Sequence, residues 1–186
     1  MIDTLYLPFD TETGGITSES SLLSTHLAVC DSSWNIIDEL ELFTKPNDGQ
    51  YNVTAEALSM NKINLIFHDL VAKTYSEAGQ VLRDFLFKHS GNGRVKLVPM
   101  GKNVGFDVIK VTDNLLGKKT WNQYVSYRLY DLTGLVMYLK RKGKLAPDAP
   151  DSLSGIAKYF GIDAEWHTAR GDCLVSIEVV KKLESL

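Results

Sequence analysis

Leu5-Tyr-Leu-Pro-Phe-Asp10-Thr-Glu12-Thr-Gly-Gly15 decides the fold. An apolar and aromatic run reads as a strand, and the glycines that follow read as a turn. Asp10 and Glu12 stand two residues apart, so on a strand both carboxylates leave from one face. Gly14 and Gly15 let the backbone turn sharply and approach a ligand. Adjacent carboxylates repel one another unless cations neutralise them, and hard divalent ions such as Mg²⁺ or Mn²⁺ prefer such oxygen donors. Taken alone, the pair also fits an ordinary solvated strand end. Pro8 cannot donate to a ladder, which predicts an edge position or a bulge near the strand end.

Further strands are expected over residues 26–31 and 35–45, the second alternating imperfectly as a half-exposed antiparallel strand does. From Thr54, which can cap a short helix, the texture turns helical. A second helix is expected from Ser76, with Ala78, Val81, Leu82, Phe85 and Leu86 at helical spacing, and Ser90-Gly-Asn-Gly93 stops it. A short strand over 95–100 leads through Gly101 into a helix over 106–116. Another strand is expected over 127–130, with Asp131 capping a helix that ends near Lys142. Two helices, over 152–160 and 168–186, close the chain. A meander followed by alternating helix and strand predicts an α/β fold, a mixed central β-sheet flanked by α-helices, with residues 1–186 as one domain.

Two more segments carry chemistry. Gly101-Lys-Asn103-Val-Gly-Phe-Asp107 places an aspartate in the first turn of a helix, where the helix dipole alone would also favour it. His167-Thr-Ala-Arg-Gly-Asp172 spans about 140° too much rotation for one helical face at five residues' spacing. His167 is therefore expected in the loop before the helix, with Asp172 one turn inside. A histidine so placed can take a proton from water.

These three segments, in this order, resemble the three motifs of the DEDDh exonucleases, a family that includes the proofreading subunit of bacterial replicative polymerase and ribonuclease T. The resemblance runs from Leu5 to about Val180, and Leu153-x-x-Ile-Ala-x-x-Phe-Gly-Ile162 is similar to the family's helix before its last motif. It implies a ribonuclease H-like fold and 3′–5′ exonuclease activity with two divalent cations, Mg²⁺ or Mn²⁺. By resemblance, Asp10, Glu12 and Asp172 hold one ion, Asp10 and Asp107 the second, and His167 is the general base. Thr11, Thr13, Gly14, Ile16 and Asn103 are the substrate-contacting positions, with Ile16 where the family carries an apolar wedge against the terminal base. Relatives commonly read Asp-x-Glu-Thr-Thr-Gly-Leu, so Gly14 and Ile16 depart from the pattern. Lys102 replaces a common histidine.

The implied substrate is the 3′ end of single-stranded or frayed DNA, with RNA the alternative. A non-catalytic ribonuclease H-like binding module and a ribonuclease H-type endonuclease are further readings. A polymerase or another replication or repair factor is the kind of protein partner implied, while oligomeric state stays open.

Net charge is −3, from 20 Lys plus Arg against 23 Asp plus Glu, which argues against a tight, processive grip on nucleic acid. Cys30 and Cys173 have no metal-ligand spacing and read as reduced thiols. No signal peptide or membrane span is evident, so a cytoplasmic protein is expected. His26, His68 and His89 belong to no motif and are expected at the surface or with satisfied nitrogens. The run Lys140-Arg-Lys-Gly-Lys144 reads as a solvated helix end or a backbone contact for nucleic acid.

Overall fold

The quoted strand runs through the middle of a mixed sheet. In the computed structural model, which describes residues 4–186, β1 (Tyr6–Thr13), β2 (Leu22–Cys30) and β3 (Ile36–Lys45) form an antiparallel meander. Helices α1 (Ala55–Asn61) and α2 (Leu65–Val71) lead to the two-residue β4 (Lys73–Thr74) and the long α3 (Tyr75–His89). After β5 (Val98–Gly101) come α4 (Val104–Val111), a π-helical turn (Thr112–Leu116) and α5 (Gly117–Tyr124). The chain ends with β6 (Tyr130–Asp131), α6 (Leu132–Arg141), α7 (Leu153–Tyr159) and α8 (Ala169–Glu184). The sheet order is β4-β3-β2-β1-β5-β6, with β1, β5 and β6 parallel. This is the expected architecture of meander, then parallel strands, with helices on both faces.

Each face has its own apolar core. Leu7, Phe9 and Leu27 pack with Leu82, Leu86 and Trp121 under α3 and α5. Met100, Leu132, Val136, Cys173, Ile177 and Val180 form the other core, under α6 and α8. Both cysteines are free and buried. Among the described residues, no helix is long and apolar enough to cross a membrane.

Several expectations need correction. Pro8 lies on a central strand, not an edge. The β1–β2 pairing steps from Tyr6–Cys30 to Phe9–Leu27, so the missing donor falls where that ladder is interrupted; the bulge comes later, between Glu12 and Thr13. β2 begins at Leu22, four residues before the expected start, because all nine of its residues are buried and alternation is erased. α3 starts at Tyr75 behind a capping box of Thr74 and Glu77. Helix continues past Leu116 as α5, and β6 is shorter than the expected strand.

His26 is neither at the surface nor satisfied. It is 2% exposed, both ring nitrogens lack a hydrogen-bond partner among the described residues, and Glu39 Oε1 stands 3.7 Å from Nε2. Burial accordingly lowers its pKa, and the nearby Glu39 and Glu41 oppose that shift. His68 and His89 do have partners, the Thr44 carbonyl and the Asp38 carboxylate, each at 2.9 and 2.8 Å respectively.

Candidate active site

The end of β1 carries Asp10 and Glu12 to the same face, where the first turn of α8 brings Asp172 over the sheet. One carboxylate oxygen from each of the three lies within 4.8 Å of the others. Such crowding is costly for bare anions. Burial, then Asp107, Asp172 and Glu12, push the Asp10 carboxyl well above its ordinary range. Glu12 rises to about 7, through burial and then the charges of Asp172 and Asp107. Burial raises Asp172 too, although the neighbouring His167 works against it. Asp172 Oδ1 is buried and, among the described residues, has no hydrogen-bond partner. An orphaned buried carboxylate oxygen beside two further carboxylates is a poor structural device and a good donor set for a hard divalent cation. The acidic cluster could therefore bind a metal ion.

Asp107 lies in the first turn of α4 but does not join that mutual 4.8 Å group. Its Oδ1 accepts a 2.6 Å hydrogen bond from the Thr11 hydroxyl. Burial pushes its carboxyl up to about 7, with that hydrogen bond pulling the other way. Thr11 alternates with Asp10 and Glu12 along β1, so its side chain serves the opposite face and faces Asp107 rather than open solvent.

His167 is exposed, in the loop before α8, and has a left-handed backbone (φ 63°). Thr168 caps the helix by accepting from the Gly171 amide. Gly171 explains how the loop folds down so tightly: a Cβ there would meet the Glu165 carbonyl oxygen at 1.8 Å. The loop consequently packs onto the first turn of α8 and sets His167 beside Asp172.

A cleft of about 540 Å³ opens beside Glu12. Thr11, Thr13 and Ile16 line it, and Ile16 is 90% exposed at its lip. Ala57, Met60 and Asn61 of α1 form part of its wall and carry no motif that would mark them in the sequence. The Asn61 amide donates to the Thr13 carbonyl, which ties α1 to the end of β1. Gly14 differs from its expected role: it is buried, its amide donates to the Ser21 carbonyl, and its own carbonyl accepts from the Thr54 amide. A Cβ at 14 would meet the Asn52 carbonyl oxygen at 2.4 Å, so the close approach is to the chain itself.

Asn103 is exposed and left-handed (φ 58°), and its backbone N–H donates to the Asp131 carboxylate. The same Asp131 oxygen accepts from the Thr133 amide at 2.8 Å, so the cap of α6 also anchors the entry to α4. Lys102 donates to the Thr133 hydroxyl, and Lys140 pairs with Asp151 at 2.7 Å.

The sheet order, the helices on both faces and the carboxylates at the end of its central strand define a ribonuclease H-like fold with a candidate cation site. Exonuclease I has the same fold. One exonuclease I structure superposes with a TM-score of 0.80 at 17% identity, covering 98% of this chain. The Escherichia coli enzyme in complex with a dT13 oligonucleotide gives 0.78 at 18% identity, again over 98% of this chain. The zinc-bound form of the E. coli enzyme with single-stranded DNA gives 0.74 at 19% identity and 98% coverage. This chain spans 41% of the length of each of these three structures. No protein-family model matches the sequence, and none of the curated proteins matches it.

Proposed function

We propose that this chain is a DEDDh-type, metal-dependent 3′–5′ exonuclease domain that removes nucleoside 5′-monophosphates from single-stranded or frayed DNA. The observation that carries the reading is the convergence of Asp10, Glu12 and the unpartnered Asp172 Oδ1 from two distant segments, with His167 on the adjoining loop. Asp10, Glu12 and Asp172 would hold one divalent cation, and Asp107 with Asp10 a second; Mg²⁺ and Mn²⁺ suit an all-oxygen donor set. Bound there, such cations supply Lewis-acid stabilisation of the charge that builds on a phosphate during displacement.

The chain's own groups do the rest. An imidazole nitrogen of His167 takes the proton of the attacking water as its oxygen bonds to phosphorus and the bond from phosphorus to the leaving 3′-oxygen breaks. The phosphate stays on the departing 5′-nucleotide. Thr11 holds the Asp107 carboxylate in place, while Thr13 and Ile16 shape the cleft that takes the terminal nucleotide. His167 lies in the open, where water and substrate reach it. Support for a DNA substrate comes from the fold's likeness to exonuclease I, seen with a dT13 oligonucleotide. A separate replication or repair factor, a polymerase among them, would recruit the chain through its surface.

Matched 5′-labelled DNA and RNA oligonucleotides, digested with Mn²⁺ or Mg²⁺, test this directly. A ladder shortening from the 3′ end of DNA is expected, with nucleoside 5′-monophosphates released. Faster trimming of RNA would reassign the substrate, and no cleavage of either with both metals would remove the exonuclease reading.

A further inference from the structure

Lys110 is the buried cation of this fold that no motif predicts. It lies on α4 one turn beyond Asp107 and is only 2% exposed. Among the described residues no carboxylate forms an ion pair with it. Its ammonium instead donates to three backbone carbonyls of one loop: Thr17 at 2.5 Å, Ser20 at 2.9 Å and Ser18 at 3.3 Å. All three N–H donors of a lysine are thereby used on a single segment. The ring of Phe106 lies 5.7 Å from the same nitrogen.

A buried ammonium with no carboxylate in direct contact is expensive; burial lowers its pKa, and the nearby charges of Glu19 and Asp113 oppose that shift. The return for that cost is a rigid loop. The Thr17 and Ser20 hydroxyls also hydrogen-bond at 2.9 Å, and the Ser20 amide donates to the Thr17 carbonyl, so the segment closes on itself before it is pinned. The residue just before this ring is Ile16, an apolar side chain 90% exposed on the lip of the cleft that opens beside Glu12.

We propose that Lys110 is a positioning residue, which fixes the 16–20 loop to the helix bearing Asp107 and so holds Ile16 in register with the carboxylates. The role rests on the exonuclease reading for its substrate, a nucleotide 3′ end whose terminal base packs on Ile16. Lys110 touches neither substrate nor cation; it acts through the loop. Without it, Ile16 would move independently of the reacting phosphate, and the terminal nucleotide would bind less often in the productive register.

Lys110→Met keeps the stem and removes the donors. Backbone hydrogen exchange across 16–20 should quicken about tenfold, while β1 and α4 stay protected. KM for a single-stranded oligonucleotide should rise about tenfold with kcat within about twofold of wild type. Ile16→Ala should give a similar KM, and the double variant should be no worse than either single one. Unchanged exchange across the loop would overturn the proposal, as would KM effects that multiply in the double variant. If Lys110→Met does not fold, Lys110→Gln, which keeps an amide donor, takes its place in the same cycle. Wild-type protein that cuts neither DNA nor RNA would fail the exonuclease reading instead, a result distinct from either of these.

Discussion

The entries to α4 and α8 are built alike and end differently. Each helix is preceded by a left-handed residue, Asn103 or His167, and each carries an aspartate in its first turn. At α4 that aspartate, Asp107, is met by the Thr11 hydroxyl at 2.6 Å. At α8 the corresponding Asp172 keeps a buried oxygen that no group among the described residues satisfies. One carboxylate is oriented by a protein partner, and the other is left with bonding capacity for something outside the chain. Local backbone geometry thus delivers an acid to the sheet end, but only the neighbouring side chains decide whether it is already engaged.

The sharpest way to break this comparison is to remove the unsatisfied member. Asp172→Ala should lower the rate of 3′-end hydrolysis by at least about 10³-fold while circular dichroism stays native. Near-full activity in the purified variant would show that the orphaned oxygen has no part in the chemistry.

Metal linkage gives the next effect. The acids at this site have folded-state pKa values raised above their ordinary ones, Glu12 to about 7 among them. Their protonated forms favour the folded state, so that stability is fully present below pH 4 and is lost as pH climbs through about 7. Metal-free protein should therefore lose melting temperature between pH 5 and 7.5, and Mn²⁺ should restore it. Saturation at 100 times Kd corresponds to about 2.7 kcal/mol. A Mn²⁺ shift larger at pH 5 than at pH 7.5 would contradict the carboxylates as the binding groups.

Thr11→Val tests the satisfied member. It preserves shape but strips Asp107 of its donor, at a cost of about 1–3 kcal/mol in stability and about tenfold in activity. Thr11→Ser should recover most of both. Chemical denaturation and oligonucleotide kinetics on the pair would show whether the hydroxyl matters. The smallest effect is expected at Asp131, whose oxygen ties the two helix entries near α4 together. Asp131→Ala should cost about 1 kcal/mol in unfolding free energy and leave cleavage within about threefold. A collapse of activity there would move Asp131 into the reacting machinery.

The convergence of Asp10, Glu12 and Asp172 was legible only from the segments taken together and in order, because each one alone also fits a solvated strand end or an ordinary helix start. Thr54 and Asp131 cap helices where their side chains promised to, and Ser152 and Thr168, read only as helix starts, cap theirs too. What escaped depends on partners far along the chain. Pro8 looked like an edge residue because the parallel neighbour β5 is supplied about 90 residues later. His26 belongs to no motif, and its burial without partners follows from lying between β1 and β3. α2 exposes Ile66, Phe67 and Leu70, so its apolar pattern gave no report of a buried face. Lys110 reads as an ordinary basic residue on a helix, and only the fold shows that its acceptors lie 90 or more residues upstream.

Burial of both cysteines has a practical side. Cys30 and Cys173 are the chain's two thiols, and burial raises the pKa of each, Cys30 to about 12. A folded molecule thus presents no ready thiolate to a maleimide dye at neutral pH. Ile16→Cys would put the only readily labelled atom at the lip of the cleft, and a fluorophore there would report the arrival of a nucleotide end without any other site to silence first.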